Sequence, residues 1–202
     1  AMGLDNSEVT GGIDAFALGI YSVNPDAKVY VKVTNSWYDP KGEEEAAKTL
    51  LNMNCDVIAQ HCDTVYPQTL AQEKGVYSIG YNSDMSKEAP EACLCSVIWN
   101  WSAYYTSAVQ SVIDGTWDGS NYYGGMNENL VSITPVADFA ADTTQEKVNV
   151  AKQQILSGKN GVFDGVIETN TGATVGTAGK TLEDSVITGG INWYFKTVSV
   201  IE

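Results

Sequence analysis

Hydrophobic residues along this chain recur with two different periods, and segments of the two kinds alternate. In one kind, an apolar residue returns every three or four positions, which predicts an amphipathic helix. The other kind is a short run of β-branched, aromatic and aliphatic residues, which predicts a buried strand. The predicted helices are 9–23, 40–52, 64–74, 101–113 and 143–159, and the predicted strands are 28–33, 55–61, 76–81, 94–99 and 130–137.

Strands that alternate with helices predict an α/β fold, with a largely parallel sheet flanked by helices on both faces. Asn24-Pro25 ends the first helix, and Asp39-Pro40 begins the second, because aspartate caps a helix and proline suits its first turn. The Gly- and Asn-rich stretch 118–129 predicts a loop. Near the end of the chain, a Gly/Thr-rich turn region is followed by a short apolar tail, 189–201.

Three candidate site residues follow predicted strands. In open α/β sheets, ligands bind beyond the carboxyl ends of the strands, and Trp37, Asp63 and Asp84 lie near such ends. Trp37 is either a stacking surface for a flat ligand or a side chain packed over its own helix N-terminus. Asp84 is either an acceptor for a ligand hydroxyl or ring N–H, or a turn-forming acid within "NSDMS".

The sequence "WNW" places Trp99 and Trp101 two residues apart, on one side of the chain if the strand continues that far. The register of the pleat decides whether Trp99 faces the ligand crevice or the core, and the sequence leaves both open.

The net charge of the chain limits the kind of molecule that it can bind. The chain has 202 residues, 44% of them hydrophobic, a net charge of −14 and no arginine. A polyphosphate would be repelled, so nucleic-acid binding is not expected. No apolar run reaches the length of a membrane span, which predicts a soluble chain with no direct membrane insertion.

Residues that would support catalysis are sparse. The chain shows no nucleophile elbow, phosphate loop or dinucleotide fingerprint, and no pair of carboxylates spaced as a hydrolase needs. We therefore predict no catalytic residues and no cofactor. A zinc site using His61, Cys62 and the pair Cys93 and Cys95 matches no common spacing, so free, mostly buried thiols are expected, with no metal.

The segment 7–64, which ends in "QHCDT", and the segment 75–117, "GVYSIGYNSDMSKEAPEACLCSVIWNWSAYYTSAVQSVIDGTW", resemble the basic membrane protein family of substrate-binding lipoproteins. Its most specific markers here are the Trp37 to Pro40 motif, "DVIAQH", "GYNSDMS" and "WNW". Members of this family feed ABC importers, and they include purine nucleoside receptors. The resemblance runs from Glu8 to about Gly125.

The resemblance implies one lobe of a two-lobe periplasmic-binding-protein fold of type I. Residues 1–130 would be the ligand-binding lobe, the C-terminal of the two, and 131–202 would complete it or return to the hinge. The segment "AMGLDNSEVT" shows no signal peptide. Ala1 before Met2 is interpreted as a remnant of tag removal. The full-length protein is expected to be extracytoplasmic and lipid-anchored.

The resemblance also implies roles for individual residues. Trp37 falls where members place an aromatic ring against the base, and Asp84 where nucleoside receptors hold ribose hydroxyls. Gly80 and Asp63 complete the expected ligand-binding set. Trp99 stands where nucleoside receptors carry a lysine, and indole cannot replace ammonium as a charged donor. We therefore expect Trp99 to fill the ribose space and to favour a free purine base.

The function that follows is the substrate-binding component of an ABC importer, with a purine base or nucleoside as ligand, a permease as partner and no enzyme activity. Two alternatives remain at this point. One is a nucleoside-processing enzyme, which would need an acid–base pair beside the sugar. The other is a ligand-sensing lipoprotein that informs a signalling partner.

Overall fold

The computed structural model describes residues 6–201. Helices and strands alternate along most of this range. The helices are α1 (Ser7–Val23), α2 (Pro40–Asn52), α3 (Tyr66–Glu73), α4 (Trp101–Ile113), α5 (Thr144–Leu156) and α6 (Asp184–Gly189). The strands are β1 (Val29–Lys32), β2 (Val57–Ala59), β3 (Tyr77–Asn82), β4 (Cys93–Trp99), β5 (Val131–Ile133), β6 (Asp164–Glu168), β7 (Thr174–Thr181) and β8 (Val198–Ile201).

Parallel pairing dominates the strands that carry the candidate site. β2, β3 and β4 are parallel neighbours, and β5 joins β4 in the antiparallel direction. β1 pairs in parallel with β8, the last strand of the chain, with Val29 opposite Val198. β6 and β7 form an antiparallel hairpin. The α/β fold class, with a largely parallel sheet flanked by helices, is confirmed.

The start of α2 shows how local sequence positions the site. The Asp39 side chain accepts a hydrogen bond of 3.1 Å from the Gly42 N–H, and Pro40 occupies the first turn. In return, Glu43 Oε1 accepts a 3.2 Å hydrogen bond from the Asp39 N–H. This reciprocal arrangement satisfies donors at the helix end and fixes where the segment after β1 turns into α2.

The buried apolar residues form separate clusters around the sheets. One joins α1 to the strands β1, β6 and β8 and to the segment between α6 and β8, and its members are Val9, Ala17, Val31, Phe163, Ile167, Ile191, Phe195 and Val198. A second links α2, β2 and α3, and consists of Leu50, Ile58 and Ala71. A third lies beneath the loop after β3 and consists of Met85, Ala89, Ala92 and Cys93.

Several predicted boundaries differ from the structure. The strand predicted at 55–61 is limited to Val57–Ala59, and the one at 130–137 is limited to Val131–Ile133, shortly before Pro135, which has no N–H to donate. The Gly/Thr-rich region predicted as turns contains β7, in which Gly176 has φ +81°. Positive φ is open to glycine, so β7 bends while still pairing with β6.

Residues after 130 contribute strands to both sheets near the site, since β5 extends the β2–β3–β4 sheet and β8 pairs with β1. The division at residue 130 stays a prediction. All four cysteines have free thiols, with Cys62 and Cys93 buried. Within residues 6–201, the longest helices fall short of the combined length and apolarity that a membrane crossing needs.

Candidate functional site

Two asparagines with a left-handed backbone conformation turn the chain at the carboxyl edge of the strands. Asn35, which follows β1, has φ +55°, and Asn82, which ends β3, has φ +71°. Asparagine tolerates this backbone region better than other residues with a side chain. The two residues turn the chain sharply away from the strands, toward Trp37 after β1 and toward Asp84 after β3.

A row of ring side chains crosses this edge, and we call it the aromatic row: Trp37, His61, Tyr81, Trp99 and Trp101. The ring centroids of Trp37 and His61 are 6.0 Å apart, and those of His61 and Tyr81 are 4.4 Å apart. Tyr81 and Trp99 lie on the paired strands β3 and β4, and Trp99 follows Val97, the partner of Tyr81, by two residues. Trp99 and Trp101 stack at 5.1 Å with an interplanar angle of 13°. The row therefore joins residues that follow or end four different strands.

The aromatic row is electrically neutral near pH 7. Burial lowers the pKa of His61, so its imidazole is uncharged. Burial also raises the pKa of Tyr81, so its phenol keeps its proton. The Nδ1 atom of His61 is buried and has no hydrogen-bond partner among the residues described. A neutral, polarizable surface of this kind suits a flat, uncharged ligand better than an ion.

Acidic and amide groups flank the row on its solvent side. Asp63 is exposed, and its N–H donates a 2.9 Å hydrogen bond to the Trp37 carbonyl oxygen. The Asn82 side chain donates a 3.4 Å hydrogen bond to Asp63 Oδ1. The structure therefore brings the predicted residues Trp37 and Asp63 together and adds Asn82 to them.

Asp84 is exposed, two residues beyond the end of β3. Its Oδ1 accepts a 3.0 Å hydrogen bond from the Ser86 N–H, and the backbone and hydroxyl of Ser86 hold the pKa of this carboxyl below its usual value. The turn-forming role considered for Asp84 is thus present in the structure. Its contact with a ligand stays a prediction.

Gly80 lies inside β3 and is buried. A Cβ at this position would overlap Ser96 Oγ on β4 and would lie 3.0 Å from Met85 Cβ. The missing side chain is therefore explained by close packing between two strands and the loop after β3. This is a structural role beneath the edge, and contact between Gly80 and a ligand stays a prediction.

Trp37 and Trp99 are both half-buried. Trp37 packs partly against the cluster that joins α1 to β1 and β8, which is a different neighbour from the helix N-terminus considered in the sequence. Trp99 stacks with Trp101, as part of the row. Trp37 follows β1 and Trp99 ends β4, and contact of either indole with a ligand stays a prediction.

Buried polar side chains hold the loop between β2 and α3 in place. Glu43, with no exposed surface, accepts hydrogen bonds at its Oε2 from the Thr64 N–H at 3.2 Å and the Thr64 hydroxyl at 2.7 Å. Gln60 donates to the carbonyl oxygens of Cys62 and Thr64 at 3.1 and 2.7 Å. These bonds fix the segment that carries His61 and Asp63.

Sequence reasoning missed His61, Tyr81 and Asn82 as members of the site. The sequence contained a signal for them, because each lies in a short motif at the end of a strand. His61 belongs to "QHCD", and Tyr81 and Asn82 belong to "GYN". The contacts among them depend on how neighbouring strands align, which no local pattern records.

A shallow depression of about 340 Å³ lies away from this edge, at the amino end of β3. It is lined by Tyr77 and Phe139, whose rings stack at 6.1 Å, and by small or polar neighbours. Among residues 6–201, no group of three or more His, Cys, Asp or Glu side chains is placed to hold a metal ion.

Comparison with known proteins places this geometry in context. A purine-binding protein of Brucella abortus is 37% identical over 187 residues, which cover 93% of this chain and 53% of that protein. A putative ABC transporter glucose-binding protein of Haloferax volcanii is 34% identical over 158 residues, covering 78% and 40%. The chain spans about half the length of the curated relatives it matches.

A solved structure of an ABC transporter solute-binding protein from Conexibacter woesei is similar with a TM-score of 0.62 and 20% identity, over 78% of this chain and 54% of that one. This likeness shows the fold. A family model for PnrA-like ABC transporter substrate-binding proteins matches residues 2–162, which confirms the resemblance found in the sequence. The chain belongs to this family of substrate-binding proteins.

Proposed function

We propose that this chain is the purine-binding lobe of the substrate-binding component of an ABC importer, and that it has no enzyme activity. The observation that supports this most directly is the aromatic row at the carboxyl edge of the strands, with Asp63 and Asn82 beside it. Rings provide the surface for a planar heterocycle, and the flanking polar groups orient it.

The chemistry of a purine fits this edge. Stacking on a neutral indole or phenol gains dispersion and apolar burial, without the cost of removing water from a charge. Asp63 and Asp84 are exposed carboxylates on the loops after β2 and β3, and a carboxylate accepts hydrogen bonds from ring N–H groups or from ribose hydroxyls. A phosphate beside these two carboxylates would be repelled, so nucleotides are disfavoured.

Trp99 supports a free base as the preferred ligand over a nucleoside. Its indole stacks on Trp101 at 5.1 Å, so it is part of the aromatic row. A ribose extending from the base toward Trp99 would meet this ring and would lack a charged donor. This assignment rests on the family resemblance for the direction in which the sugar points.

A sugar is the second candidate ligand. The Haloferax volcanii relative is called a putative glucose-binding protein, and the apolar face of a pyranose also packs on aromatic rings. The Brucella abortus relative, which is matched over more of this chain, is called purine-binding. We therefore place the purine first.

In the complete receptor, a second lobe would close over the ligand by hinge motion, and the closed form would dock on a permease. We propose that the receptor acts outside the cytoplasm and is held at the membrane by a lipid anchor. A sensing role would use the same lobe with a signalling partner in place of the permease.

Ligand-observed saturation-transfer NMR on this chain tests the proposal, because it detects the weak binding expected of an open lobe. Adenine, adenosine and glucose are compared at equal concentration. We expect saturation transfer to adenine above that to adenosine, and its loss in Trp37→Ala. Transfer to glucose alone would reject the purine assignment. Release of base from inosine, followed by a coupled assay, would reject the non-enzymatic assignment.

A further inference from the structure

α1 passes directly beside the aromatic row. Gly12, in the second turn of this helix, is exposed. A Cβ built on it would lie 3.4 Å from Cδ2 and 3.5 Å from Nε2 of His61, so the bare helix backbone faces the imidazole edge. His61 is thus bordered by the rings of Trp37 and Tyr81 and by α1 at Gly12. The edge that we assign to the ligand therefore has a side wall that belongs to α1.

Glu8 lies on the same face of α1 as Gly12, one turn closer to the start of the helix. Residues four apart on a helix are neighbours, and a rise of 1.5 Å per residue puts about 6 Å between them along the axis. The Glu8 side chain is exposed. It therefore extends from α1 on the face that Gly12 turns toward His61.

The effect of Glu8 on the rings agrees with this position. Burial is the main cause of the lowered pKa of His61, and the Glu8 carboxylate opposes that shift more strongly than Asp63 does. Burial also raises the pKa of Tyr81, and the Glu8 carboxylate adds to this shift, again more strongly than Asp63. A carboxylate that acts on both rings lies close to both.

Contacts within the described chain do not account for Glu8 or Gly12. Among residues 6–201, the Glu8 side chain makes no hydrogen bond and no ion pair. An acidic residue in the first turn favours the helix dipole, but that effect does not require the face toward His61. Glycine destabilises the interior of a helix, and the space beside Gly12 would admit a methyl group in ordinary contact.

The other carboxylates at this edge already have partners. Asp63 accepts a hydrogen bond from the Asn82 side chain, and Asp84 accepts one from the Ser86 N–H. Both oxygens of Glu8 are open to a ligand, as far as residues 6–201 are concerned. Glu8 is therefore the carboxylate beside the row with the most unused capacity to accept hydrogen bonds.

We propose that Glu8 is a further ligand-binding residue, which accepts a hydrogen bond from an N–H group of a purine base lying against Gly12 and His61. The inference rests on the proposed function. The N–H groups of a purine lie on the rim of its ring system, so a base that stacks on the row can present this rim to α1. Gly12 leaves room for the rim, and Glu8 gains a charge-assisted hydrogen bond.

NMR titration of this chain with adenine, 9-methyladenine and 6-dimethylaminopurine tests the role of Glu8. Each methylated base lacks one kind of N–H group that adenine has. We expect Glu8→Ala to weaken adenine binding about tenfold, the usual scale for loss of a hydrogen bond to a charged group. The base that lacks the bonded N–H should bind the original chain and Glu8→Ala equally well. Glu45→Ala, at an exposed position on α2, is the matched control and should leave all three dissociation constants unchanged.

Gly12→Leu tests the wall. A leucine side chain would fill the space beside His61, so adenine binding should fall at least about tenfold. Gly19→Leu is the matched control, because Gly19 is an exposed glycine of the same helix with no atom within 4 Å of its Cβ position. Both changes replace glycine by a good helix former, so neither should lower Tm. If Gly12→Leu does lower Tm, Glu8→Ala decides alone.

Adenine binding that survives Glu8→Ala, or a stable Gly12→Leu, overturns the inference and leaves the purine assignment standing. An equal loss for all three bases in Glu8→Ala also overturns it, because a carboxylate that acts only on the local fold does not distinguish one N–H group from another. Failure of the original chain to bind any of the three bases rejects the purine assignment and overturns this inference with it.

Discussion

The N–H of Asp63 donates a 2.9 Å hydrogen bond to the carbonyl oxygen of Trp37, and this bond ties the loop after β2 to the loop after β1. The backbones that carry the indole and the carboxylate are therefore held together without a ligand. Preorganisation of this kind lowers the ordering cost of binding.

Trp37→Ala should weaken adenine binding by about 1–3 kcal/mol, the usual effect of removing one aromatic ring from a stack on a base. Trp37→Phe should retain most of the affinity, because a ring face remains. Calorimetric or NMR titration measures the change. Tyr77→Ala, at the opposite end of β3, removes another exposed aromatic ring and should leave binding as it was. Equal loss in both alanine variants would contradict a ligand site at the carboxyl edge.

Trp99→Ala should shift ligand preference from adenine toward adenosine. Removing the indole opens the space assigned to ribose. The affinity for adenosine should therefore rise by roughly tenfold relative to the affinity for adenine. The ratio of the two dissociation constants is the measurement. If the original chain instead prefers adenosine, and this preference disappears in Asp84→Ala, then Asp84 holds the sugar. The assignment of a free base as the ligand would then be wrong.

Glu43→Gln should lower the free energy of unfolding by about 1–3 kcal/mol, because a buried acceptor of three hydrogen bonds becomes a partly mismatched amide. The loop at Thr64 should then exchange amide hydrogens faster. Urea unfolding and hydrogen exchange measure the two effects. Glu45→Gln alters an exposed carboxylate on the same helix and should change stability by less than about 0.5 kcal/mol. A similar change in the free energy of unfolding for both variants would contradict the role of Glu43 in holding the loop at Thr64.

Asp14 should make stability depend on pH. Its side chain has no exposed surface, its Oδ1 accepts a 2.7 Å hydrogen bond from the Phe195 N–H, and burial raises the pKa of the carboxyl from 3.8 to about 7. The folded state therefore holds this proton more tightly than the unfolded chain does. The contribution of Asp14 to the free energy of unfolding is complete below about pH 4 and is lost as the pH rises to about 7.

Asp14→Asn removes this titration while keeping an oxygen that can accept from Phe195. The difference in unfolding free energy between the variant and the original chain should therefore grow in favour of the variant from pH 4 to pH 7 and stay level above it. Urea unfolding at several pH values gives the difference. A constant difference across this range would show that the carboxyl is not protonated in the folded state.

Elements with chemically distinct ends could be predicted from the sequence. The start of α2 is one example, because Asp39, Pro40 and Glu43 determine it through bonds within a single turn. β7 could not be predicted, since its glycines suggest turns and its pairing with β6 is visible only in three dimensions. Trp37 and Asp63 were placed at the edge correctly. The contact between His61 and Tyr81 was not foreseen, because it depends on the alignment of β2 with β3.

The pairing of β1 with β8 has a consequence for how the protein is made. β1 is synthesised well before its partner Val198–Ile201, because five helices and six other strands lie between them along the chain. Until then, one edge of β1 has unpaired N–H and C=O groups, and joining strands so distant in sequence is slow. The nascent chain must therefore be kept from aggregating until β8 has emerged, so the need for a chaperone should last through the synthesis of the segment between the two strands.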